Sequence, residues 1–248
     1  MKKLILISGP SCVGKGPLLA SLKKYYPEMP FSDIPVIRSH GSRNGKPRDD
    51  YEKNQWNNRE FFMPDAEFAS LGEDFLIGDC RGYPQAINLR KITDADEELL
   101  ILEVYHTFGE QLKKRKAQVL ESINAVSVFI SPISLDEIDI LKKCKVNVDS
   151  YIFDMMLNKQ MRRAEFLNDI VSEKEVSSFI ARAYDAPDEI RGICHYDRVV
   201  VCHAGEGHID WNRNPDGSFS FRPIGSAGKA LHDLASIIYD MDKKNCDG

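Results

Sequence analysis

Short apolar runs alternate along this chain with longer segments in which apolar residues recur at helical spacing. The segments Leu18–Tyr25 and Ser226–Met241 have the helical pattern. Four apolar runs have the length and composition of buried strands: Leu4–Ser8, Leu99–Val104, Val126–Ile130 and Val199–Cys202. Strands that alternate with helices in this way predict a mainly parallel sheet covered by helices on both faces, an α/β fold.

The segments between these elements have weaker patterns. Residues 30–38 are predicted to be extended, because their prolines exclude a continuous helix. Ser134-Leu-Asp-Glu137 forms a capping box that predicts a helix start, and the helical region beyond it is interrupted near Val146–Asp149. Three further elements are predicted: a short amphipathic helix over Glu60–Leu71, a hairpin-like segment over 75–84, and a hairpin within 204–224 that turns at Asn214–Gly217.

The most informative motif lies between the first predicted strand and the first predicted helix. It is Gly9-Pro-Ser-Cys-Val-Gly-Lys-Gly16, which fits the pattern G-x-x-x-x-G-K. Glycines allow a tight turn in which successive N–H groups converge on an anion at a helix N-terminus. We therefore expect a phosphate site formed by Gly9, Pro10, Ser11, Cys12, Val13, Gly14, Lys15 and Gly16, with Lys15 contacting the terminal phosphates. Pro17 stands where a Ser or Thr hydroxyl would contact magnesium or phosphate.

Composition limits the classes of partner. The chain of 248 residues is 42% hydrophobic and 29% charged, as in ordinary globular proteins, and its net charge of -5 disfavours binding to a nucleic acid polymer. No apolar run approaches the roughly 20 residues that span a bilayer. The apolar run after Met1-Lys-Lys is too short for a signal peptide. We therefore expect a cytoplasmic protein without a membrane partner, of undetermined oligomeric state.

The cysteines leave one metal hypothesis to weigh. The chain has 6 cysteines without the spacing of a disulfide-rich secreted domain. Cys194-His195, Cys202-His203 and His208 could be zinc ligands by residue type. Adjacent strand residues point to opposite faces, however, so each Cys-His pair converges poorly on one ion. A buried strand with Cys202 as a small core residue is the simpler interpretation, and we predict no metal ligand set from the protein.

Several segments resemble the guanylate kinase family in the order in which that family has them. The glycine loop comes first, and Leu102-Glu-Val104 is similar to the strand ending in L-E-I-D. Tyr196-Asp-Arg-Val-Val-Val201 resembles the Y-D-Y-V-V-V strand. Three further segments also match: Tyr26-Pro-Glu28, Phe31-Ser32 and Val126–Glu137.

This resemblance implies a P-loop NTPase-type parallel sheet flanked by helices, with an inserted acceptor-binding subdomain and a helical lid. The implied parts are a core of 1–30, 92–140 and 190–248, an acceptor-binding subdomain of 31–91, and a lid of 141–170. The hairpin at 204–224 is an addition to the family's core. The implied activity is transfer of the γ-phosphoryl group from ATP, with Mg²⁺, to a nucleoside monophosphate, by default GMP.

The resemblance also implies roles for individual side chains. For the lid it implies that Arg162 or Arg163 closes on the transferred phosphoryl group; an ion pair with Glu165 or Asp169 is the alternative. For acceptor binding it implies a set of six residues: Arg38, Arg43, Tyr51, Asp79, Tyr83 and Glu103. In this set Arg38 would hold the phosphate, and Glu103 would bond a base edge or else a nearby Lys or Arg.

Departures from the family pattern keep other functions open. Tyr105 replaces the second acidic residue, Ile77 replaces a guanine-reading glutamate for which Asp79 could substitute, and Gln160 stands where a lid arginine is expected. One alternative is therefore a guanylate-kinase-like module that binds nucleotide or protein without catalysis. Another is a kinase of the same fold that acts on a sugar phosphate.

Overall fold

The computed structural model describes residues 2–41, 58–109, 111–112, 123–167 and 170–243. Its strands are β1 (Lys3–Ser8), β2 (Ser32–Asp33), β3 (Val36–Ser39), β4 (Phe62–Met63), β5 (Phe75–Cys80), β6 (Tyr83–Asn88), β7 (Leu99–Glu103), β8 (Asn124–Ser131) and β9 (Arg198–Val201). Its helices are α1 (Lys15–Tyr25), α2 (Asp65–Phe68), α3 (Arg90–Thr93), α4 (Leu135–Lys143), α5 (Val148–Phe166), α6 (Glu173–Arg191) and α7 (Gly225–Lys243). Short 3-10 helices cover Gly192–His195 and Ile209–Trp211.

The larger sheet has the strand order β2-β7-β1-β8-β9. Its outer pairs are parallel, with Ser32 opposite Leu100 and Val128 opposite Arg198. All six residues of β1 are buried. The mainly parallel sheet flanked by helices that the sequence predicts is therefore confirmed.

A smaller sheet has the order β4-β3-β6-β5. β6 pairs antiparallel with both β3 and β5, whereas β3 and β4 are parallel. Cys80 pairs with Tyr83, so Arg81 and Gly82 alone close the β5–β6 hairpin. This confirms the hairpin predicted over 75–84.

The chain divides into two compact units. Unit 1 contains Met1–Leu6 and Phe31–Val126, and unit 2 contains Ile7–Pro30 and Ser127–Gly248. One apolar cluster of unit 1 includes Leu6, Ile87, Leu100 and Phe108, each at most 2% exposed, and a second consists of Ile37, Met63, Phe68 and Ala86. In unit 2 the fully buried side chains include Leu18, Phe129 and Trp211. The core, acceptor and lid boundaries drawn from the family resemblance stay predictions.

Two helix signals in the sequence correspond to observed caps. Ser134 accepts a hydrogen bond from the Glu137 amide at 3.2 Å, and Glu137 accepts one from the Ser134 amide at 2.7 Å, which confirms the capping box at the start of α4. The interruption predicted near 146–149 is also present, because α5 begins anew with Asn147 as its N-cap. No helix in the described ranges is both long enough and apolar enough to cross a membrane.

Two predicted elements differ from the structure. The amphipathic helix expected over Glu60–Leu71 is wrong: the segment contains strand β4 and the one-turn helix α2. Pro64 precedes α2 with ψ 143, and a proline interior to a longer helix would clash with the preceding turn. Within 204–224 the hairpin is reduced to a single bridge between Arg213 and Phe219, and a 3-10 helix precedes it.

Candidate functional site

The glycine loop connects β1 to α1 in unit 2. Its two motif glycines, Gly9 and Gly14, have φ angles of 143 and 113, which only glycine adopts readily. A Cβ on Gly9 would lie 2.3 Å from the Ile130 carbonyl oxygen, and one on Gly14 would lie 2.7 Å from that of Ala204. Both glycines are therefore required by backbone conformation and by close packing.

Lys15 is the first residue of α1 and lies against the loop. Its Nζ donates to the carbonyl oxygens of Gly9 at 2.8 Å and Pro10 at 3.0 Å. The first turn of α1 contains no acidic residue, so the positive end of the helix dipole is not neutralised there. The ammonium group and the helix N-terminus together can attract a phosphate.

Cys12 and Pro17 are the unusual residues of this segment. Cys12 has φ 65, a left-handed conformation that is strained for a residue with a side chain. Burial raises the pKa of its thiol, and the charge of Glu206 raises it further, whereas Arg163 and Arg182 act in the opposite direction. Pro17 is buried in the first turn of α1, where its missing N–H removes no helical bond.

The loop that follows β9 supports the glycine loop. The Glu206 amide donates to the Cys12 carbonyl at 3.4 Å, and the Trp211 indole donates to the Gly205 carbonyl at 2.9 Å. A Cβ on Gly14 would lie 3.0 Å from the Trp211 ring. The sequence predicted only an added hairpin here, because no local pattern shows that the segment packs on the glycine loop.

Lys159 fastens α5 to the same loop. Its Nζ donates to the carbonyl oxygens of His203 at 2.5 Å and Cys202 at 3.3 Å. Burial lowers the pKa of Lys159 to about 8. A Cβ on Gly205 would lie 2.9 Å from the Lys159 side chain, which shows how closely the two segments pack.

The two lid arginines predicted from the sequence differ in their surroundings. Arg163 forms an ion pair with Glu206, with 2.7 Å between Nε and Oε2. Its positive charge acts to lower the pKa of Cys12 in the glycine loop. Arg162 is exposed and lines a cavity of about 330 Å³ together with His203 and His208. Gln160 stands where the family pattern has a lid arginine. Its side chain is buried, and its amide donates to the Phe179 carbonyl at 3.0 Å.

Arg182 on α6 is a further cation that the sequence did not single out. Its charge lowers the pKa of Cys12, as that of Arg163 does. α6 itself had a usable signal, since Ser172 and Glu175 form a capping box at its start. The positive charge around the glycine loop therefore comes from α5 and α6 as well as from Lys15.

Four of the predicted acceptor-binding residues lie in described parts of unit 1. Arg38 lies in β3 opposite Gln85 of β6, and Tyr83 begins β6 with 45% of its surface exposed. Asp79 Oδ1 accepts a hydrogen bond from the Gly82 amide at 2.8 Å, so this carboxylate also shapes the hairpin turn. Glu103 is exposed at the end of β7. Arg43 and Tyr51 lie outside the described residues.

An aromatic and cationic cluster beside this hairpin was not predicted. The Arg81 guanidinium lies 4.9 Å from the centroid of the Tyr105 ring, and the Tyr105 and His106 ring centroids are 4.2 Å apart. Tyr105 was noted in the sequence only as the replacement of an acidic residue. Its contact with Arg81 depends on the turn of the hairpin, which periodicity does not reveal.

The described residues contain no cluster of three or more His, Cys, Asp or Glu side chains that could hold a metal ion. Of the candidate zinc ligands, Cys202 is buried with its Sγ 3.1 Å from the Ala204 carbonyl oxygen, and Cys194 is exposed. His203 contacts a carboxylate, with 2.9 Å between its Nε2 and Oε2 of Glu137.

Comparison with known proteins bears on the family. The chain is 30% identical over 139 residues to a guanylate kinase of Trichormus variabilis and 29% identical over 144 residues to one of Synechococcus sp.. Each match covers 55% of this chain, and 63% and 58% of the two relatives, so the chain matches less than two thirds of their length. No family model matches the chain.

The fold resembles that of a solved guanylate kinase from Anaplasma phagocytophilum, with a TM-score of 0.50 over 97% of this chain and 86% of that one. The sequence identity in that comparison is 15%, so it supports the fold alone. The resemblance inferred from the motifs is confirmed. The chain is therefore similar to guanylate kinases in sequence over about half of its length and in fold over nearly all of it.

Proposed function

We propose that this protein transfers the γ-phosphoryl group of ATP to a nucleoside monophosphate, by default GMP, giving ADP and the nucleoside diphosphate. The observation that supports this most is the glycine loop between β1 and α1, with Lys15 at the helix N-terminus. The curated relatives named above are guanylate kinases, which favours GMP as the acceptor.

The protein has to position the two substrates and neutralise the charge of the transferred phosphoryl group, because this transfer needs no covalent protein intermediate. Lys15 would exchange its two carbonyl partners for phosphate oxygens, and loop N–H groups would hold the rest of the phosphate chain. Arg163 and Arg182, whose charges reach Cys12, would neutralise the transferred group. Arg38 would hold the acceptor phosphate, and Glu103 would contact the base.

The loop fits a phosphate chain, since Gly9 and Gly14 admit no Cβ and the backbone N–H groups at a helix N-terminus can bind an anion. The fit to Mg²⁺ is poorer. Position 17 is a proline, without the hydroxyl that contacts magnesium at this place in the motif. We therefore assign no step to a protein-bound magnesium ion.

That poor fit is the specific observation in favour of a second function, a nucleotide-binding module without catalysis. Lys15 fits such a nucleotide-binding module as well as a kinase, and argues only against a module that binds protein alone, which has no use for a buried lysine on this loop. A kinase of this fold that acts on a sugar phosphate is the other alternative, motivated by Ile77 in place of a base-reading carboxylate.

A coupled assay of ADP release tests these functions. The full chain is incubated with ATP, Mg²⁺ and GMP, AMP, UMP, CMP or ribose 5-phosphate, and Lys15→Met is the matched control. The proposal predicts turnover with a nucleoside monophosphate that Lys15→Met abolishes. ATP binding by calorimetry without turnover on any acceptor would refute the kinase and favour the binding module, and turnover on ribose 5-phosphate alone would favour the sugar-phosphate kinase.

A further inference from the structure

Residues 204–224, which we call the added segment, are attached to both ends of α1. Near the start of the segment, Trp211 is fully buried and packs on Gly14, the residue before α1. Further along, the Phe219 carbonyl accepts a hydrogen bond from Lys24 Nζ at 3.0 Å, and the ring centroids of Phe219 and Tyr25 are 6.0 Å apart. Because all of these residues belong to unit 2, the added segment has a fixed position relative to the glycine loop.

Arg213 lies between these two attachments. Its backbone forms the bridge to Phe219, and a Cβ on Gly217 would lie 3.3 Å from its Nη2. Its Nε is buried and has no hydrogen-bond partner within the ranges that the structure describes. An arginine stays protonated at neutral pH, so this N–H remains a donor that requires an acceptor. A buried donor without a partner costs free energy, and an oxygen of a ligand would remove that cost.

The charges that act on Arg213 include those beside the glycine loop. Burial lowers the pKa of Arg213, the charges of Glu206 and Asp216 raise it, and that of Arg163 lowers it. Glu206 also pairs with Arg163 at 2.7 Å, and its amide donates to the Cys12 carbonyl at 3.4 Å. Arg213 therefore belongs to the group of charges that adjoins the loop. Since Arg163 repels it, an anion that binds near both guanidinium groups is favoured.

A phosphate is the anion that suits this arrangement. The N–H groups of a guanidinium form a planar fork that matches phosphate oxygens. Lys15 and the N-terminus of α1 attract a phosphate to the same loop. Pro17 lacks the hydroxyl that would contact magnesium, so side-chain cations have more of the phosphate charge to neutralise.

We propose that Arg213 binds the phosphate chain of the nucleotide on the glycine loop, and that the added segment is thereby part of the donor site. The inference rests on the proposed function, because it takes the glycine loop as the site of the donor nucleotide. It deepens that function by assigning a phosphate contact to a segment that the sequence showed only as an addition to the core.

Calorimetric titration of the full chain with ATP tests this contact. Arg213→Gln should weaken ATP binding by roughly 10- to 150-fold, as for loss of one donor to a charged acceptor. Arg213→Lys keeps the charge without the planar fork and should recover part of that loss. Arg198→Gln removes the same charge from an exposed position at the start of β9 and is the matched control. It should leave ATP binding unchanged.

Urea denaturation without nucleotide separates a phosphate contact from a structural role. The midpoint of Arg213→Gln should not fall, because the Nε that is removed has no hydrogen bond to lose. A structural arginine would instead lower the midpoint. Weaker ATP binding together with a lower midpoint in both Arg213→Gln and Arg213→Lys would therefore overturn the inference.

The remaining outcomes distinguish this inference from the proposed function. ATP binding that is unchanged in Arg213→Gln would overturn the inference and leave the kinase standing. ATP binding that depends on Arg213, in a native chain without turnover on any acceptor, would refute the kinase alone. A native chain that binds no ATP would overturn both.

Discussion

Lys159 should make the stability of this protein depend on pH in an unusual direction. The side chain is 8% exposed, and burial lowers the pKa of its ammonium group from 10.5 to about 8. Below pH 8 the lysine is charged in the folded and unfolded states, so the folded state has the full cost of burying the charge. Between pH 8 and 10.5 the folded state loses the proton first, and the free energy of unfolding therefore rises with pH.

The size of the effect follows from the pKa difference. A pKa difference of about 2.5 corresponds to about 3 kcal/mol in the free energy of unfolding. About 1 kcal/mol of this is regained between pH 7 and 9. Cys202 acts in the opposite direction at higher pH. Burial raises the pKa of its thiol to about 11, so its contribution is lost as pH rises from 9 towards 11. The range from pH 7 to 9 thus isolates the lysine best.

Urea denaturation followed by far-UV circular dichroism at pH 7, 8 and 9 measures this effect in the native chain and in Lys159→Met. Methionine has a similar length and no charge, and every other titrating group is common to both proteins. We expect the native chain to gain about 1 kcal/mol relative to Lys159→Met between pH 7 and 9. Lys174→Met, at an exposed lysine on α6, should run parallel to the native chain. Parallel curves for Lys159→Met would refute the assignment of this pH dependence to the buried ammonium group.

Three further substitutions test the fold and the site. Gly14→Ala should destabilise the protein by about 1–3 kcal/mol and abolish ATP binding in calorimetry. The new Cβ would lie 2.7 Å from the Ala204 carbonyl oxygen, and the alanine would have to adopt a positive φ. An unchanged Tm would contradict this packing. Ser134→Ala should lower the free energy of unfolding by about 1 kcal/mol in urea, since it removes the bond to the Glu137 amide, and a wild-type midpoint would show that the cap is dispensable. Arg81→Asn should raise the unfolding free energy by about 1 kcal/mol by relieving the left-handed strain, whereas a lower Tm would mean that the ring contact stabilises more than the strain costs.

Local sequence patterns correctly predicted those strands, helices and caps that are determined by residues close together in the chain. The apolar run before Gly9 and the helical spacing after Lys15 predict the strand and helix on either side of the glycine loop correctly, because strand and helix periodicity are properties of neighbouring residues. The Ser134 capping box is also local. The predicted helix over Glu60–Leu71 failed for a local reason that was visible in the sequence, namely Pro64.

The contacts that complete the candidate site could not be predicted in this way. Lys159 meets the His203 carbonyl and Arg163 meets Glu206, and in each pair more than 40 residues separate the partners in the chain. Only tertiary packing brings such segments together. The strained conformation of Arg81 is equally invisible to a residue pattern, since Arg-Gly is not a favoured sequence for its turn.

The interleaving of the two units has a consequence for how the protein is made. Unit 1 is complete once Val126 has been synthesised, but the glycine loop belongs to unit 2, which resumes at Ser127. Gly14 packs against Ala204 and Trp211, and a ribosome adding 5–20 residues per second reaches them roughly 10–40 s after the loop. The nascent chain therefore has its glycine loop without the packing partners of that loop for most of its synthesis. A ribosome stalled before Ala204 should hold a chain that cannot retain ATP.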